Sequence, residues 1–171
     1  MSKILTVFYS RAGENHFPDG MRVIEKGNTA WAAEHIQAAV GGDLFEIEPV
    51  KPYSDNYREC VGQSVQEFKT NARPEIKGFV ENMDEYDTIF VGFPCWCGTA
   101  PMCVFTFLEH YDLTGKKIHP LCTNEGSGMA NSVAQLKASC PGAEVSEGLP
   151  FRGHLCEGGA EEIGAWAKAQ L

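Results

Sequence analysis

The sequence has no apolar stretch approaching the roughly 20 residues that a membrane-crossing helix needs, so no membrane partner is expected. Its opening, Met-Ser-Lys followed by Ile4–Tyr9, is too short for the apolar core of a secretory signal and carries no cleavage signature. A cytoplasmic protein is the expectation. Basic residues are scarce: 14 Lys and Arg stand against 23 Asp and Glu, a net charge of −9. That balance repels polyanions and excludes a nucleic-acid partner, while a small phosphate held by local backbone dipoles is still allowed. There is no Walker lysine and no G-x-G-x-x-G, so the first turn fits neither a nucleoside triphosphate nor a dinucleotide. No Ser/His/Asp set supports hydrolysis, and no general acid or base stands out, so no catalytic side chain is assigned. Linkers, repeats and low-complexity tracts are missing as well. Cysteine is present, but its seven positions form an odd set without framework spacing, and they read as reduced thiols. Cys95-x-Cys97 with Cys103 lacks the C-x-x-C knuckle and a second pair, so no metal site is expected.

What remains is a chain of 171 residues, 43% hydrophobic and 22% charged, enough for one domain (1–171) with a real core. Strand and helix patterns alternate. Residues 3–9 are an apolar strand run, 29–40 a helix with Ala32, Ile36, Ala39 and Val40 on one face, and 44–47 a short strand closed by Pro49. Tyr57, Cys60, Val61, Ser64, Val65 and Phe68 recur at a 3.6-residue period, predicting a helix over 54–71. Strands at 87–93, 117–123 and near 145–151 follow, with helices at 101–111, about 129–139 and about 157–170. Five β-α units of this kind predict an α/β fold, a three-layer doubly wound parallel sheet of five strands. The one irregular piece is 14–26, longer than an ordinary connection after the first strand; it reads as plain decoration or, more often for an insertion so placed, as a cover over a site.

Chemistry concentrates in three loops at strand carboxyl ends, where such sheets hold their ligands. After the first strand come Ser10, Arg11, Ala12 and Gly13; beyond the insertion Gly27, Asn28, Thr29 and Ala30 open a helix. Hydroxyls, an amide and free N–H groups at a helix start make an anion site, though Asn28 or Thr29 read alone is equally a plain N-cap. After the third strand, Pro94, Cys95, Trp96, Cys97, Gly98 and Thr99 set one large flat side chain among small residues. This suits stacking on a flat heterocycle whose edge bonds to backbone groups; a structural Trp covering a sheet edge is the competing reading. After the fourth, Thr123, Asn124, Glu125, Gly126, Ser127 and Gly128 let backbone approach a ring edge closely. His16 and His154 are placed to line the site mouth, whereas His35 and His110 read as structural.

On these residues the chain resembles the flavodoxin-like family, and within it bacterial proteins with an interrupted phosphate loop. The carriers are Tyr9 to Asn15, Gly27-Asn28-Thr29, Leu44 to Pro49, Asn71-Ala72-Arg73-Pro74, Pro94-x-Trp96-x-Gly98-Thr99 and Thr123-x-Glu125-Gly126-Ser127-Gly128. The resemblance implies strand order 2-1-3-4-5 with FMN across the strand ends. Ser10, Arg11, Asn28 and Thr29 would hold its phosphate, residues 94–99 would contact the ring with Trp96 lining it, and 123–128 would close the other side. Two departures stand out: Cys97 and Asn124 occupy positions where an aromatic residue and a His are common. Loss of an aromatic wall weakens stacking by about 0.5–1.5 kcal/mol.

Three functions follow from that resemblance. The first is an FMN electron carrier docking a redox partner protein, favoured by acidic surroundings that resist added negative charge on the ring. The second is a small reductase passing hydride from NAD(P)H to a quinone or similar small-molecule electron acceptor, favoured by a pocket that the insertion would shape. The third is a flavin-free binding module of the same fold, kept open by Cys95 and Cys97.

Overall fold

The computed structural model describes residues 3–171. β1 (Lys3–Phe8) is followed by two short strands, β2 (Gly13–Phe17) and β3 (Gly20–Ile24), and then by α1 (Asn28–Val40). Next come β4 (Asp43–Glu46), α2 (Tyr57–Lys69), β5 (Tyr86–Pro94) and α3 (Met102–Glu109). β6 (Lys117–Asn124), α4 (Ser132–Ser139), β7 (Glu144–Val145), β8 (Leu149–Arg152) and α5 (Ala160–Lys168) complete the chain.

The main sheet is parallel throughout, in the order β4-β1-β5-β6-β7, with β8 continuing the same edge against β6. Counted by β-α unit, this is the expected order 2-1-3-4-5 with its fifth strand split in two. β7 pairs with Lys117 and Ile118 and β8 with Leu121 to Asn124, so the break lies opposite His119 and Pro120. Pro120 has no N–H to offer the ladder, which accounts for an interruption there.

Side chains alternate across the central strands with the period of two that pleating imposes. Leu5, Val7, Ile89, Val91, Phe93, Ile118 and Cys122 pack on one side with Val104, Phe107 and Leu108 of α3 and Leu136 of α4. Phe90, Leu121 and Phe151 pack on the other with Ala32 and Ile36 of α1 and Ile163 and Ala167 of α5. Burial on both faces explains why these strands read as continuous apolar runs. No helix among the described residues is long and apolar enough to cross a membrane.

The segment expected to be irregular, 14–26, is instead mostly a β-hairpin: Gly13 pairs with Ile24 and Phe17 with Gly20, antiparallel and separate from the main sheet. Its turn, Pro18-Asp19 before Gly20 at φ 127°, is Pro-Asp-Gly chemistry that favours chain reversal. Helix bounds also shifted. Asn56 caps α2, its side chain accepting from the Glu59 N–H at 3.0 Å, so the helix begins at Tyr57. α4 begins at Ser132 because Gly128 (φ 63°) and Ala130 (φ 46°) are left-handed and cannot continue a helix.

Candidate functional site

The carboxyl ends of β1, β5 and β6 open on one cleft of about 160 Å³. The structure brings Ser10, Arg11, Asn28 and Thr29 from the first loop together with Pro94, Cys95 and Trp96 from the second. Thr123, Asn124 and Glu125 come from the third, and Asn15 and His16 of the hairpin, Tyr57 and Gly153 complete the walls. Cys97 lines an adjoining cavity of about 320 Å³ with Cys60, Val61, Ser64 and Val65 of α2. The two cavities share Arg11, Asn15, Tyr57, Cys95 and Trp96. Ala12, Ala30, Gly98, Thr99, Gly126, Ser127 and Gly128 are not among the walls of the first cleft.

One end of the cleft is the start of α1. Gly27, at φ −67° and ψ 151°, is the N-cap, not Asn28 or Thr29, and it has no side chain with which to cap. Ser10 supplies the missing acceptor, its Oγ taking the Ala30 N–H at 3.0 Å. A Cβ at position 27 would lie 2.1 Å from Ser10 Oγ and 2.8 Å from the Arg11 carbonyl oxygen, so only glycine lets the β1 loop lie against this helix start. First-turn N–H groups have no partner within a helix; Asn28 and Thr29, the first two residues of α1, lie on the cleft wall, which is the arrangement that receives an anion. The Arg11 guanidinium, also on the cleft wall, is braced by backbone carbonyl groups. It donates to the Ser54 and Asp55 carbonyl oxygens, each at 2.8 Å, and to that of Glu14, tying the hairpin to the loop before α2.

The second loop is a tight turn. Trp96 N–H donates to the Thr99 carbonyl at 2.8 Å and Thr99 N–H returns the bond at 3.0 Å. Cys97 (φ 54°) and Gly98 (φ 75°) are both left-handed between them, as in a type I′ turn. The Trp96 indole stands edge-on to Tyr9 (5.3 Å) and Tyr53 (4.9 Å), so its plane is fixed from two sides. Burial pushes both phenols far above their ordinary range, which removes them as acids at neutral pH.

Asn124 builds the third loop. Its Oδ1 accepts the Gly126 and Gly128 N–H groups at 2.9 and 3.1 Å, and its Nδ2 donates to the Cys122 carbonyl at 3.1 Å. The Thr123 and Thr29 hydroxyls share a buried bond of 2.8 Å, joining this loop to the start of α1. Glu125 accepts the His154 backbone N–H at 2.8 Å and faces the His154 Nδ1 at 2.8 Å. A Cβ on Gly153 would sit 2.8 Å from Asn28 Nδ2 and 3.0 Å from Glu125 Oε1, so glycine lets the end of β8 enter the cleft.

Cys95 places a half-buried thiol on the wall of the cleft. A bond from the Cys122 thiol, aided by the Ser127 hydroxyl and the Gly98 N–H, holds its thiol well below the ordinary range against the opposing effect of burial. Cys122 is sealed in the core and is pushed upward by the same bond and by burial. No sequence signal announces this, because Cys122 and Ser127 are remote from Cys95 in the chain. Tyr57 and Asn15 were not foreseen as wall residues either. Tyr57 lies on a 3.6-residue stripe that reads as core, yet within α2 only Cys60 is buried and the stripe faces the cavity. His16 lines the cleft and His154 pairs with Glu125 at its edge. Among the described residues no group of His, Cys, Asp and Glu could hold a metal ion.

The model of the flavodoxin family matches residues 23–169. A protein from Bacteroides eggerthii, provisionally assigned as a flavoprotein, is 34% identical over 99% of this chain and 98% of its own, with a TM-score of 0.74. A second such protein, from Bacteroides uniformis, is 29% identical over 98% of both chains, with a TM-score of 0.79. A Lactobacillus acidophilus flavoprotein solved in complex with FMN is 19% identical over 92% of this chain and 98% of its own, TM-score 0.67, a likeness of fold. None of the curated proteins matches the chain.

Proposed function

The chain belongs to the flavodoxin family, and from that premise we propose that it binds FMN at the β1, β5 and β6 strand ends and transfers electrons to a redox partner. The observation that carries this reading is one cleft with an anion-receiving helix start at one end and an aromatic wall at the other. The residues fit the group. At one end, Gly27 and Ser10 shape a cradle that a Cβ would fill. At the other, Trp96 is held in a single plane by Tyr9 and Tyr53. FMN would supply the redox chemistry, which the protein tunes. Asn28, Thr29 and the Ser10 loop would hold the phosphate, with Arg11 bracing the hairpin beside them. Trp96 would lie against the ring, and the loop built on Asn124 would bring backbone groups to the ring's edge. The net charge of −9 would resist charge accumulation on the ring and favour a basic partner.

A second reading, a reductase taking hydride from NAD(P)H, is favoured by the cavity of about 320 Å³ that shares Trp96 with the cleft and has room for a small acceptor. Relatives by fold include an FMN-dependent NADH-azoreductase of Bacillus anthracis, 10% identical with a TM-score of 0.53. Titration of the flavin-free protein with FMN, followed by quenching of flavin fluorescence, tests both readings at once. Saturable binding supports the site; no binding leaves a flavin-free module of the same fold. Stopped-flow mixing of the loaded protein with NADPH then separates carrier from reductase. Reduction no faster than that of free FMN excludes the reductase.

A further inference from the structure

A cavity of about 620 Å³ opens on the face of α2 opposite the one that lines the space behind Trp96, and it shares no wall residue with that space or with the cleft. Its volume is that of a small-molecule site. Val50, Pro52, Tyr53 and Pro74 give it apolar walls, and Gly62, Gln63 and Glu67 of α2 line another side. The walls are tied together by the chain itself. The Val50 N–H donates to the Glu75 carbonyl at 2.9 Å, the Ser54 N–H to Gln63 Oε1 at 2.9 Å, and the Tyr53 hydroxyl to Glu67 Oε2 at 2.6 Å. Two residues on the α2 side have no structural purpose there. Glycine inside a helix costs stability relative to alanine, yet a Cβ on Gly62 would meet nothing within 4 Å, so no neighbour requires the glycine. Its missing side chain keeps the wall open. Glu67 is half-buried, and burial raises its pKa against the opposing Tyr53 bond. Among the described residues it has no cationic partner, and its Oε1 accepts no hydrogen bond. A half-buried carboxylate without a counter-charge is held at a cost that a cation beside it relieves. The other charged wall residues, Lys51 and Glu75, are exposed and opposite in sign, so Glu67 sets the charge that the interior favours.

We propose that this cavity binds a small organic cation, an aromatic or branched aliphatic body that carries a primary or secondary ammonium group. The body packs on Val50, Pro52, Tyr53 and Pro74 and enters the space that Gly62 leaves. The ammonium donates to Glu67 Oε1, while Oε2 keeps the Tyr53 bond. A neutral analogue loses the charge pairing, and a carboxylate is repelled by Glu67. Tyr53 is shared between this site and the support of Trp96, to which its ring stands edge-on at 4.9 Å. The ligand therefore rests on a residue that braces the aromatic wall of the cleft. This goes beyond the flavin reading and does not depend on it.

The test titrates the isotopically labelled protein with 2-phenylethylamine at about pH 7.5 and constant ionic strength, and follows backbone amide shifts by NMR. Saturable shifts are expected at residues 50–54, 62–67 and 75–76. The alcohol 2-phenylethanol, the same body without the charge, is expected to bind at least about fivefold more weakly, and 3-phenylpropionate is expected not to saturate. Glu67→Gln keeps an acceptor for Tyr53 and is expected to cost the amine about fivefold while leaving the alcohol unchanged. Gly62→Leu fills the open wall and is expected to abolish binding of both. Equal affinity for amine and alcohol in the wild type overturns the proposal, and that result needs no variant to fold. Shifts that never saturate, or that are confined to the cleft residues, also overturn it. So does a Glu67→Gln or Gly62→Leu variant that binds the amine as the wild type does.

Discussion

Trp96 is held by two edge-to-face contacts, to Tyr9 and Tyr53, before any ligand arrives. A ring fixed in this way loses little freedom when something stacks on it, so its contribution to binding is close to the full stacking term. Trp96→Ala is expected to weaken FMN binding about three- to tenfold, read by fluorescence titration, with Trp96→Phe recovering most of the loss. Unchanged affinity in the alanine variant would remove Trp96 from the ring wall. At the other end, Gly27→Ala places a methyl group where Ser10 Oγ now stands. FMN affinity is expected to collapse in that variant, while Ser10→Ala is expected to lose the Ala30 bond, about 1 kcal/mol of stability by urea titration. Arg11 shows the limit of reading single residues. Its position beside Ser10 suggests a phosphate ligand, but carbonyl groups from Glu14, Ser54 and Asp55 lie close enough to take its donors.

Between elements, two connections shape the site. The Thr29–Thr123 bond joins the α1 start to the end of β6 inside the core, with both residues nearly sealed from solvent. Thr29→Val keeps the shape but leaves the Thr123 hydroxyl buried without its partner, so a loss of about 1–3 kcal/mol in urea stability is expected. The hairpin is held from outside: Glu14 N–H donates to the Asp55 carbonyl at 3.1 Å, and its carboxylate accepts the Tyr57 N–H at 3.0 Å. Glu14→Ala is expected to speed hydrogen exchange at the start of α2 and across residues 13–24 while β1 and β5 amides keep their protection. Uniform loss of protection would mean that the hairpin is part of the cooperative core. The position of this segment beside the first strand's end was legible from its length and place, and two of its residues, Asn15 and His16, stand on the cleft wall. Its strand pairing was signalled only by Pro18-Asp19-Gly20, because the flanking residues lack clean alternation.

At the scale of the whole molecule, one buried imidazole links stability to acidity. His119, 7% exposed in β6, has its Nδ1 3.0 Å from the Ser146 hydroxyl, and its buried Nε2 has no partner among the described residues. Burial, with a smaller push from Lys117, lowers its pKa below the ordinary 6.5. The folded protein therefore resists a proton that the unfolded chain accepts. The contribution to stability is complete above about pH 6.5 and is lost as pH falls below it, because the unfolded state then binds more protons. A urea midpoint that drops between about pH 7.5 and about pH 5.5 is expected, and His119→Gln is expected to flatten the drop. A slope unchanged in that variant would assign the effect to other groups.

The order of β-α units, the parallel sheet and the three polar loops were determined by the sequence itself, because apolar period and turn chemistry are local properties of a few neighbouring residues. Leu5, Val7, Ile89 and Val91 announce a strand buried on both faces whatever surrounds them. Tertiary structure alone decided which side chains remain free to act. Arg11 became a strut, and the Cys95 thiol is held below its ordinary range, because Ser54, Asp55 and Cys122 meet them only when the sheet closes. Hydrogen bonds and desolvation depend on those partners and fall off within a few ångströms, so residues remote in sequence decided the chemistry of this site.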